Sequence, residues 1–533
     1  MKKIICILFI VLLAMNTKAY DFMVNGLAYN ILGNSKVEVT YIEQWSDANY
    51  SGLTSANIPK TVTYNGNIFS VTSIGEEAFE GCSSLTSVSI PNSITSIEDG
   101  AFQYCYGLTS ITIPSSVTKI GDFSFCLTNL KKISIPSSIK YIGKGAFCRC
   151  KDLEIVTLAG KDIIICKDCF YQCDKLKSVS GDIRQVGDCA FQDCTALSSI
   201  NLSQTDSIGV KSFLGCIALT SINLGNRLEF IGEMAFNKVG IREITIPRNV
   251  KKIDGTVFGY CNELKKIYFN AIKCVTPYNY GDNSSFFAQS PVEQIVFGPE
   301  VTYIGRFLAA KATSLRDIVI PANVSVIGAW AFSECTGLKK IVLEGNNAKI
   351  LEGRVFRGCS AVEQIYFPEG DVSSITWGFS GGDFNGMPSL KELYCPRNNA
   401  YSIGVTSDYF FKDSDKATVS VHVPKNCINN YIDENSPNHP SRFDTGGINW
   451  WAHFDNYIDD LEPSGINDVL EDVDVVVEAR DGVLIVEGAG EAPVEVVDMA
   501  GRLVYCGAAE AIPTLPQGIY IIHVKGKSIK VKI

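Results

Sequence analysis

Apolar and polar residues alternate in short runs that recur along most of the chain. The run that contains Leu108, Ile111, Ile113 and Pro114 is one example, and its alternation is typical of a β-strand with one buried face. Because proline cannot donate to a strand ladder and fixes its own backbone, it predicts that the strand ends there. The stretch I-G-x-x-A-F, which recurs in the same units, predicts a short turn or helical segment that returns the chain.

Phenylalanine marks the length of the repeating unit, because it recurs about every 23 residues. The marker residues are Phe79, Phe102, Phe125, Phe147, Phe170, Phe191, Phe213, Phe236 and Phe258, and the phase resumes at Phe332 and Phe356. A unit of this size cannot bury its apolar face alone, so stability comes from stacking onto neighbouring units. The periodicity therefore predicts a solenoid with a cap at each end.

The repeat, an opening segment DFMVNGLAYNILGNSKVEVTYIE that alternates like hairpin strands, and the closing VHVPKNCINNYI carry a family resemblance. Together they resemble the BspA-like leucine-rich repeats of bacterial surface proteins over roughly residues 21 to 458. The resemblance implies a leucine-rich-repeat solenoid with a short strand plus a turn or short helix per unit. It also implies adhesion to host matrix or plasma proteins or to other cells, and no catalytic residues. The consensus is irregular near residues 270 to 312 and 368 to 412.

Five segments follow from these patterns. Residues 1–19 combine Lys2 and Lys3 with an apolar run, which predicts a cleaved signal peptide. An N-terminal β cap is predicted over 20–70, the solenoid with its C-terminal cap over 71–458, and an acidic linker over 459–473. Outside the signal peptide, no stretch approaches the roughly 20 apolar residues of a spanning helix, so we expect an exported protein without a transmembrane segment.

The last segment, residues 474–533, contains short alternating runs joined by glycine and proline turns, which predicts a small β-sandwich. The patterns VEVVDMAGRLVYCG and LPQGIYIIHV, followed by the basic end KVKI, resemble the C-terminal sorting domain of the Bacteroidetes type IX secretion system. That resemblance implies recognition by the secretion machinery and attachment to the outer membrane exterior. The alternative is an ordinary accessory sandwich.

Charge and composition limit the possible partners. The formal net charge is -10 and no basic stripe is visible, which argues against nucleic-acid binding. A hydrophobic content of 46% is sufficient for a large core. No cofactor is expected.

Nineteen cysteines in an exported protein would ordinarily suggest disulfides. Nine of them, however, lie three residues after a marker phenylalanine or its equivalent, so stacking predicts a buried ladder of thiols hydrogen-bonded to neighbouring carbonyls. These are Cys82, Cys105, Cys150, Cys173, Cys194, Cys216, Cys261, Cys335 and Cys359. The motif formed by Cys166, Cys169 and Cys173 could alternatively hold a metal or a redox pair. Its register favours three structural positions of the repeat, so no metal is predicted.

Catalytic motifs are weak. The four histidines lie outside the regular repeats, so general base chemistry by histidine is not available along most of the solenoid. Gly378, Ser380 and Gly382 match the serine-hydrolase pattern, but they sit in a glycine-rich stretch and not between a strand and a helix. We therefore predict that the protein is not an enzyme.

The polar positions of the strands should form one sheet face whose character changes along the chain. Early units carry small hydroxyls such as Thr109 and Thr112, whereas later units carry lysines and tyrosines. Exposed aromatic side chains beside charges are typical of interfaces, which predicts ligand contacts between residues 265 and 411. The candidate residues are Lys265, Lys266, Tyr268, Tyr278, Tyr280, Lys339, Lys340, Tyr366, Trp377, Phe379 and Tyr394. Alternatively, these aromatic residues fill gaps in an imperfect core.

The predicted function is that of an adhesin-like protein, secreted or on the bacterial cell surface, whose sheet face binds a host extracellular-matrix or plasma protein or another cell-surface molecule. Two other classes remain open at this stage. One is a structural spacer or coat protein, and the other is a hydrolase acting on glycans or peptides. Repeat folds host many functions, so the fold alone does not separate the first two.

Overall fold

A computed structural model describes residues 20–42, 49–275, 285–370, 372–374, 383–399, 411, 414–415, 417–432 and 454–461, and then 476–480, 483–487, 494–498, 503–507, 512, 519–524 and 527–532. The predicted signal peptide, 1–19, lies outside these residues. The chain divides into two compact units, Met1–Leu219 and Thr220–Ile533.

The described residues of unit 1 form seventeen β-strands. They are β1 Phe22–Val24, β2 Leu27–Gly33, β3 Lys36–Thr40, β4 Ser55–Asn57, β5 Thr61–Tyr64, β6 Asn67–Ile74, β7 Ser87–Ser89, β8 Ser96–Ile97, β9 Lys119–Ile120, β10 Lys132–Ile135, β11 Tyr141–Ile142, β12 Ile155–Leu158, β13 Ile163–Ile165, β14 Ser178–Ser180, β15 Ile183–Val186, β16 Ser199–Ile200 and β17 Ser207–Ile208.

The first strands of unit 1 are hairpins. β1 pairs with β2, β2 with β3 and β5 with β6, all antiparallel. β3 then pairs with β6 in parallel, and β6 with β8, so these strands join the edge of the repeat sheet. Strands β1 to β3 thus extend the repeat sheet at this edge through backbone hydrogen bonds.

The coils of unit 1 contribute to two parallel sheets, although residues 108–113 form no strand in either. Short strands follow one another in the order β6, β8, β9, β11, β13, β15 and β17, and longer strands form the sheet β10, β12, β14 and β16. The sequence predicted one strand per unit. The short strand was not predicted, because it has only two or three residues in most coils and these are too few to show alternation.

Phenylalanine rings fill the interior of unit 1 as a single stack. From Phe79 to Phe213 successive ring centroids are 5.2 to 5.4 Å apart and the ring planes lie within 12° of parallel. The backbone enforces this spacing, because the amide of each marker residue donates to the next coil: Phe79 N–H bonds the Ala101 carbonyl at 2.8 Å and Phe102 N–H bonds the Ser124 carbonyl at 2.7 Å.

Unit 2 contains twenty-one strands and one short helix in its described residues. The strands are β18 Phe230–Ile231, β19 Glu243–Ile246, β20 Lys252–Ile253, β21 Lys266–Phe269, β22 Gln294–Phe297, β23 Tyr303–Ile304, β24 Asp317–Ile320, β25 Val326–Ile327, β26 Lys340–Leu343, β27 Lys349–Leu351, β28 Gln364–Tyr366, β29 Val372–Ser374, β30 Glu392–Tyr394, β31 Ser420–Pro424, β32 Asn456–Leu461, β33 Val476–Arg480, β34 Val483–Glu487, β35 Val494–Asp498, β36 Leu503–Gly507, β37 Ile519–Val524 and β38 Lys527–Lys532. The helix, α1, is Ile428–Ile432.

The coils of unit 2 repeat the arrangement of unit 1. Longer strands form the parallel sheets β19, β21, β22 and β24, β26, β28, β30, β31, β32, while short strands pair as β18 with β20 and as β23, β25, β27, β29. Strand pairing continues from β28 to β30 across the second irregular segment, whereas the sheet of longer strands is interrupted between β22 and β24. Gln364 and Glu392, for example, are 28 residues apart in sequence yet adjacent across β28 and β30.

The C-terminal module, β33 to β38, folds as two antiparallel sheets. β33 pairs with β34, and β36, β35, β37 and β38 form a four-stranded sheet. Side chains from both sheets share one apolar core, which includes Leu484, Val486, Val494, Val496, Tyr520, Ile522 and Val524.

The structure differs from two sequence-based expectations, on residues 108–113 and on the start of the linker. Residues 108–113 are not hydrogen-bonded as a strand, although Leu108 and Ile113 are buried as expected. The stretch I-G-x-x-A-F forms turns in the described coils, which is one of the two forms that its pattern predicts. The last solenoid strand, β32, extends to Leu461, so the first three residues assigned to the linker belong to the sheet. Among the described residues, no helix has the length and apolar character needed to cross a membrane.

Candidate functional site

The candidate site is the outward face of the longer strands in unit 2. Along these strands, side chains alternate between the core and the opposite side of the sheet. Ile267, Ile365 and Leu393 are buried in the core, so Tyr268, Tyr366 and Tyr394, one residue later, point outward. Strand pairing places equivalent outward residues side by side, and this turns a sequence period into a continuous surface.

Three outward rings stack on one another in the six-stranded sheet. Tyr366 pairs with Tyr394, and Tyr394 with His422, across β28, β30 and β31. The Tyr366 and Tyr394 ring centroids are 4.1 Å apart with planes 5° from parallel, and Tyr394 and His422 are 4.5 Å apart at 10°. We call Tyr366, Tyr394 and His422 the aromatic ladder. Tyr366 is only 6% exposed, while Tyr394 and His422 are half-buried.

Polar groups hold the rim of the aromatic ladder. Tyr394 Oη donates to Glu392 Oε2 at 2.5 Å, and the same carboxylate oxygen accepts from Gln364 Nε2 at 2.9 Å. Burial, together with the hydrogen bond to Glu392, raises the pKa of Tyr394 well above its ordinary value, so this phenol stays protonated and donates. The Lys340 ammonium lies 4.7 Å from the Tyr366 ring centroid.

The histidine at the end of the aromatic ladder is held on one side only. His422 Nδ1 lies 3.0 Å from both carboxylate oxygens of Asp460 on β32. Its Nε2 is buried and has no hydrogen-bond partner among the described residues. A buried ring nitrogen without a partner is energetically unfavourable, so it is a position where an added polar group would be stabilising.

A second cluster lies on the three-stranded sheet. Lys266 and Tyr268, both on β21, contact Glu495 of the C-terminal module: Lys266 Nζ is 2.6 Å and Tyr268 Oη 2.7 Å from Glu495 Oε2. The Lys266 ammonium also lies 4.7 Å from the Tyr268 ring centroid. We call these two residues the Lys266–Tyr268 pair.

The remaining candidate lysines lie one residue before the outward strand positions. Lys265 pairs with Glu293 at 2.6 Å, and Lys339 is exposed in the same row of its own sheet. The structure thus places Lys265, Lys266 and Tyr268 on one sheet and Lys339, Lys340, Tyr366 and Tyr394 on another. Tyr278, Tyr280, Trp377 and Phe379 lie outside the described residues, as does the Gly378–Gly382 motif.

Sequence reasoning missed His422, Glu392, Gln364, Asp460 and Glu495. A signal for His422 was present, because the runs IYFP, LYCP and VHVP at residues 365–368, 393–396 and 421–424 share one pattern at equal spacing. That pattern aligns Tyr366, Tyr394 and His422 at the same outward position. No comparable signal pointed to Glu495, which belongs to a different part of the chain.

The nine ladder cysteines are buried free thiols. In eight of them the sulfur lies 3.0 to 3.1 Å from the carbonyl of the marker position of the preceding coil, as in Cys150 to Phe125 and Cys359 to Phe332. In the first, Cys82 contacts the Asn49 carbonyl at 3.4 Å. Burial raises the pKa of Cys150 and of Cys261 to about 12, which keeps these thiols protonated.

The motif of Cys166, Cys169 and Cys173 is spread over separate environments. Cys169 and Cys173 are buried and Cys166 is half-buried, and all three are free thiols. Cys173 donates to the Phe147 carbonyl at 3.1 Å. Among the described residues, no group of three histidine, cysteine, aspartate or glutamate side chains is placed to hold a metal ion.

A model of a known repeat family matches most of the solenoid. The model for the BspA type leucine rich repeat region (6 copies) matches residues 72–198, 184–282 and 281–418, more than half of the 533 residues. The chain belongs to the BspA-type leucine-rich repeat family. The match includes Tyr268, Tyr366 and Tyr394 and ends at residue 418, before His422. No curated protein matches the chain.

Solved structures of other repeat proteins are similar. A leucine-rich repeat protein from Bacteroides ovatus is 26% identical with a TM-score of 0.50, and the match covers 70% of this chain and 94% of that one. A leucine rich cell surface protein from Faecalibacterium prausnitzii is 20% identical, with a TM-score of 0.34 and coverage of 70% and 93%. The pneumococcal vaccine antigen PcpA is 17% identical, with a TM-score of 0.35 and coverage of 78% and 96%. This BspA-type chain thus shares the leucine-rich repeat fold, and the family supports a protein-binding surface.

Proposed function

We propose that this protein is an exported, cell-surface adhesin that binds a protein partner through the outward face of the longer strands in unit 2. The partner is a host extracellular-matrix or plasma protein or a protein on another cell. The aromatic ladder is the observation that carries the proposal, because stacked, partly exposed rings with a charged rim are the side chains that dominate protein interfaces.

The chemistry of the ladder favours a protein over a sugar. A sugar ring would need an open aromatic face, but the two faces of Tyr394 are covered by Tyr366 and His422. Ring edges and the carboxylate of Glu392 are what a partner would meet. These groups suit apolar side chains and hydrogen-bond donors of a polypeptide.

The C-terminal module has a different proposed role, in surface attachment. Its six strands and separate core support an independently packed unit at the end of the chain. We assign it, on its sequence pattern, to recognition by the secretion machinery and retention on the outer membrane exterior. No catalytic role is proposed for any part of the chain.

Binding is tested with the full mature chain, from residue 20 onward, on immobilised matrix proteins, plasma proteins and glycans, with an unrelated solenoid as control. Saturable binding to one protein class is the expected result. The double variant Tyr394→Ser, His422→Ser should weaken it at least tenfold, whereas Thr157→Ala on the unit 1 sheet should not. Absence of binding to every immobilised protein would favour the spacer role instead.

A further inference from the structure

Glu495 projects from the C-terminal module toward the solenoid. It lies on β35, inside the four-stranded sheet, between Val494 and Val496, which are both buried in the module's own core. Because neighbouring side chains of a strand point to opposite faces, Glu495 leaves the module on the side away from that core. Its carboxylate reaches β21 of the solenoid.

Two donors converge on a single oxygen of this carboxylate. The Lys266 ammonium and the Tyr268 hydroxyl are 2.6 and 2.7 Å from Glu495 Oε2. The side chains of Lys266 and Glu495 are 19% and 22% exposed, whereas those of the neighbouring ion pair Lys265 and Glu293 are 51% and 54% exposed. Charge-assisted hydrogen bonds are stronger where less water screens them, so the inner pair is the better anion site.

The burial of Tyr268 also indicates that the Lys266–Tyr268 pair is a site for an anion. Its ring points away from the core, yet only 7% of it is exposed. On the other sheet, the matching hydroxyl of Tyr394 finds its carboxylate, Glu392, on its own strand. For Tyr268 the hydrogen-bonded carboxylate comes from a part of the chain 227 residues away.

We propose that the Lys266–Tyr268 pair is a carboxylate-binding position of the sheet face that Glu495 occupies in the intact chain, so that an acidic side chain of a protein partner binds there by displacing the C-terminal module. The inference rests on the proposed function for the meaning of that binding. A group tethered to its own site acts at a high effective concentration, so removing the Glu495 charge should strengthen binding of an external acid.

Coverage of Lys266 by Glu495 is tested without any ligand, on the full mature chain. Lysine acetylation by a small activated ester is followed residue by residue by mass spectrometry in the unaltered protein and in E495Q. The modification rate of Lys266 should rise by roughly threefold to tenfold in E495Q, because its amine loses a charged partner and becomes more exposed. Lys265, in the same molecule, should keep its rate.

Glu154→Gln is the matched control variant. It removes a carboxylate that pairs with Lys177 at 2.7 Å on the unit 1 sheet, so it should leave the Lys266 rate unchanged. E495D keeps the charge on a shorter side chain and so distinguishes loss of charge from damage to the module. Its Lys266 rate should lie between the rates of the unaltered chain and of E495Q. An unchanged Lys266 rate in E495Q would overturn the proposal.

The ligand class is tested with a fluorescent hexaglutamate peptide. E495Q should bind it about tenfold more tightly than the unaltered chain, and adding Lys266→Met should abolish the gain. Equal binding by E495Q and the unaltered chain would overturn competition at this position. Failure to bind any matrix or plasma protein would instead count against the adhesin role alone, since neither the labelling nor the peptide assay uses those ligands.

Discussion

The outward positions of the longer strands carry different side chains in the two units. In unit 1, β10, β12 and β14 present Ser134, Thr157 and Ser180 side by side. In unit 2, the equivalent row of β28, β30 and β31 presents Tyr366, Tyr394 and His422. The backbone geometry is the same in both, so the fold alone does not determine what the face binds.

The interiors of the two units are alike by contrast. Phe147 and Phe170 in unit 1 stack at 5.4 Å, and Phe332 and Phe356 in unit 2 at 5.3 Å, with interplanar angles of 5° and 8°. A ladder thiol bonds the preceding coil in each. Packing determines the residue type at core positions and is the same in every coil, whereas residues at outward positions are free to vary with function.

The largest expected effect comes from alkaline pH, and it should separate the units. Burial raises the thiol pKa above its ordinary value near 9, so the folded state binds protons that the unfolded state has lost. The affected buried thiols are Cys82, Cys105, Cys150, Cys169, Cys173 and Cys216 in unit 1 and Cys261, Cys274, Cys359 and Cys395 in unit 2.

This contribution to stability is therefore present below pH 9 and is lost as the pH rises through the raised thiol pKa values, by roughly 1 kcal/mol per thiol per pH unit. Unit 1 should therefore open at lower pH than unit 2, as measured by hydrogen exchange with mass spectrometry under reducing, oxygen-free conditions. Simultaneous opening of both units would show that the thiols do not govern the difference.

Ring removal from the stack should cost the same in either unit. Phe170→Ala and Phe356→Ala each delete a fully buried ring between two others, so each should lower the free energy of unfolding by roughly 3 to 5 kcal/mol. Urea denaturation followed by circular dichroism measures this. A cost below 1 kcal/mol at one site only would contradict the equivalence of the interiors.

Changes on the outward face should affect binding more than stability. Alanine at both Tyr394 and His422 should weaken binding of a protein ligand by about 2 kcal/mol, while the pair Thr157→Ala and Ser180→Ala should leave it unaltered. Surface plasmon resonance with the ligand found in the binding screen measures both. Equal losses from the two pairs would mean that the face of unit 1 binds as well.

The smallest effect is expected from Tyr394→Phe, which keeps the stacked ring and deletes one hydroxyl. Glu392 keeps its hydrogen bond from Gln364, so unfolding should become easier by only about 1 kcal/mol. Thermal melting detects this change. A loss above 3 kcal/mol would indicate that the hydroxyl, and not the stacking, holds the ladder together.

Local patterns in the sequence were sufficient to predict much of the fold. The period of Phe79 to Phe258 predicts the repeat, and the family match over residues 72–418 agrees with it. The alternation around Ile365 and Leu393 correctly separates core from outward residues. Each of these signals depends on neighbours within one or two coils.

Contacts between distant parts of the chain could not be predicted in the same way. The bond from Glu495 to Lys266 spans 229 residues and has no period or motif. Residues 108–113 kept the apolar pattern of a strand but not its hydrogen bonds, because pairing depends on the register of both neighbours and not on the run itself. The strand positions of Lys266, Tyr268, Lys340, Tyr366 and Tyr394 were therefore predictable, and their partners were not.

The ladder thiols give the solenoid a direction. Each sulfur bonds a carbonyl in the coil before it, from Cys105 to Phe79 through Cys359 to Phe332. A coil that has just left the ribosome or a membrane channel thus finds the acceptor for its thiol already in place, since the chain emerges N terminus first. Coils can therefore fold one after another from the N terminus, and a misfolded coil deprives only the coils that follow it of their acceptor carbonyls.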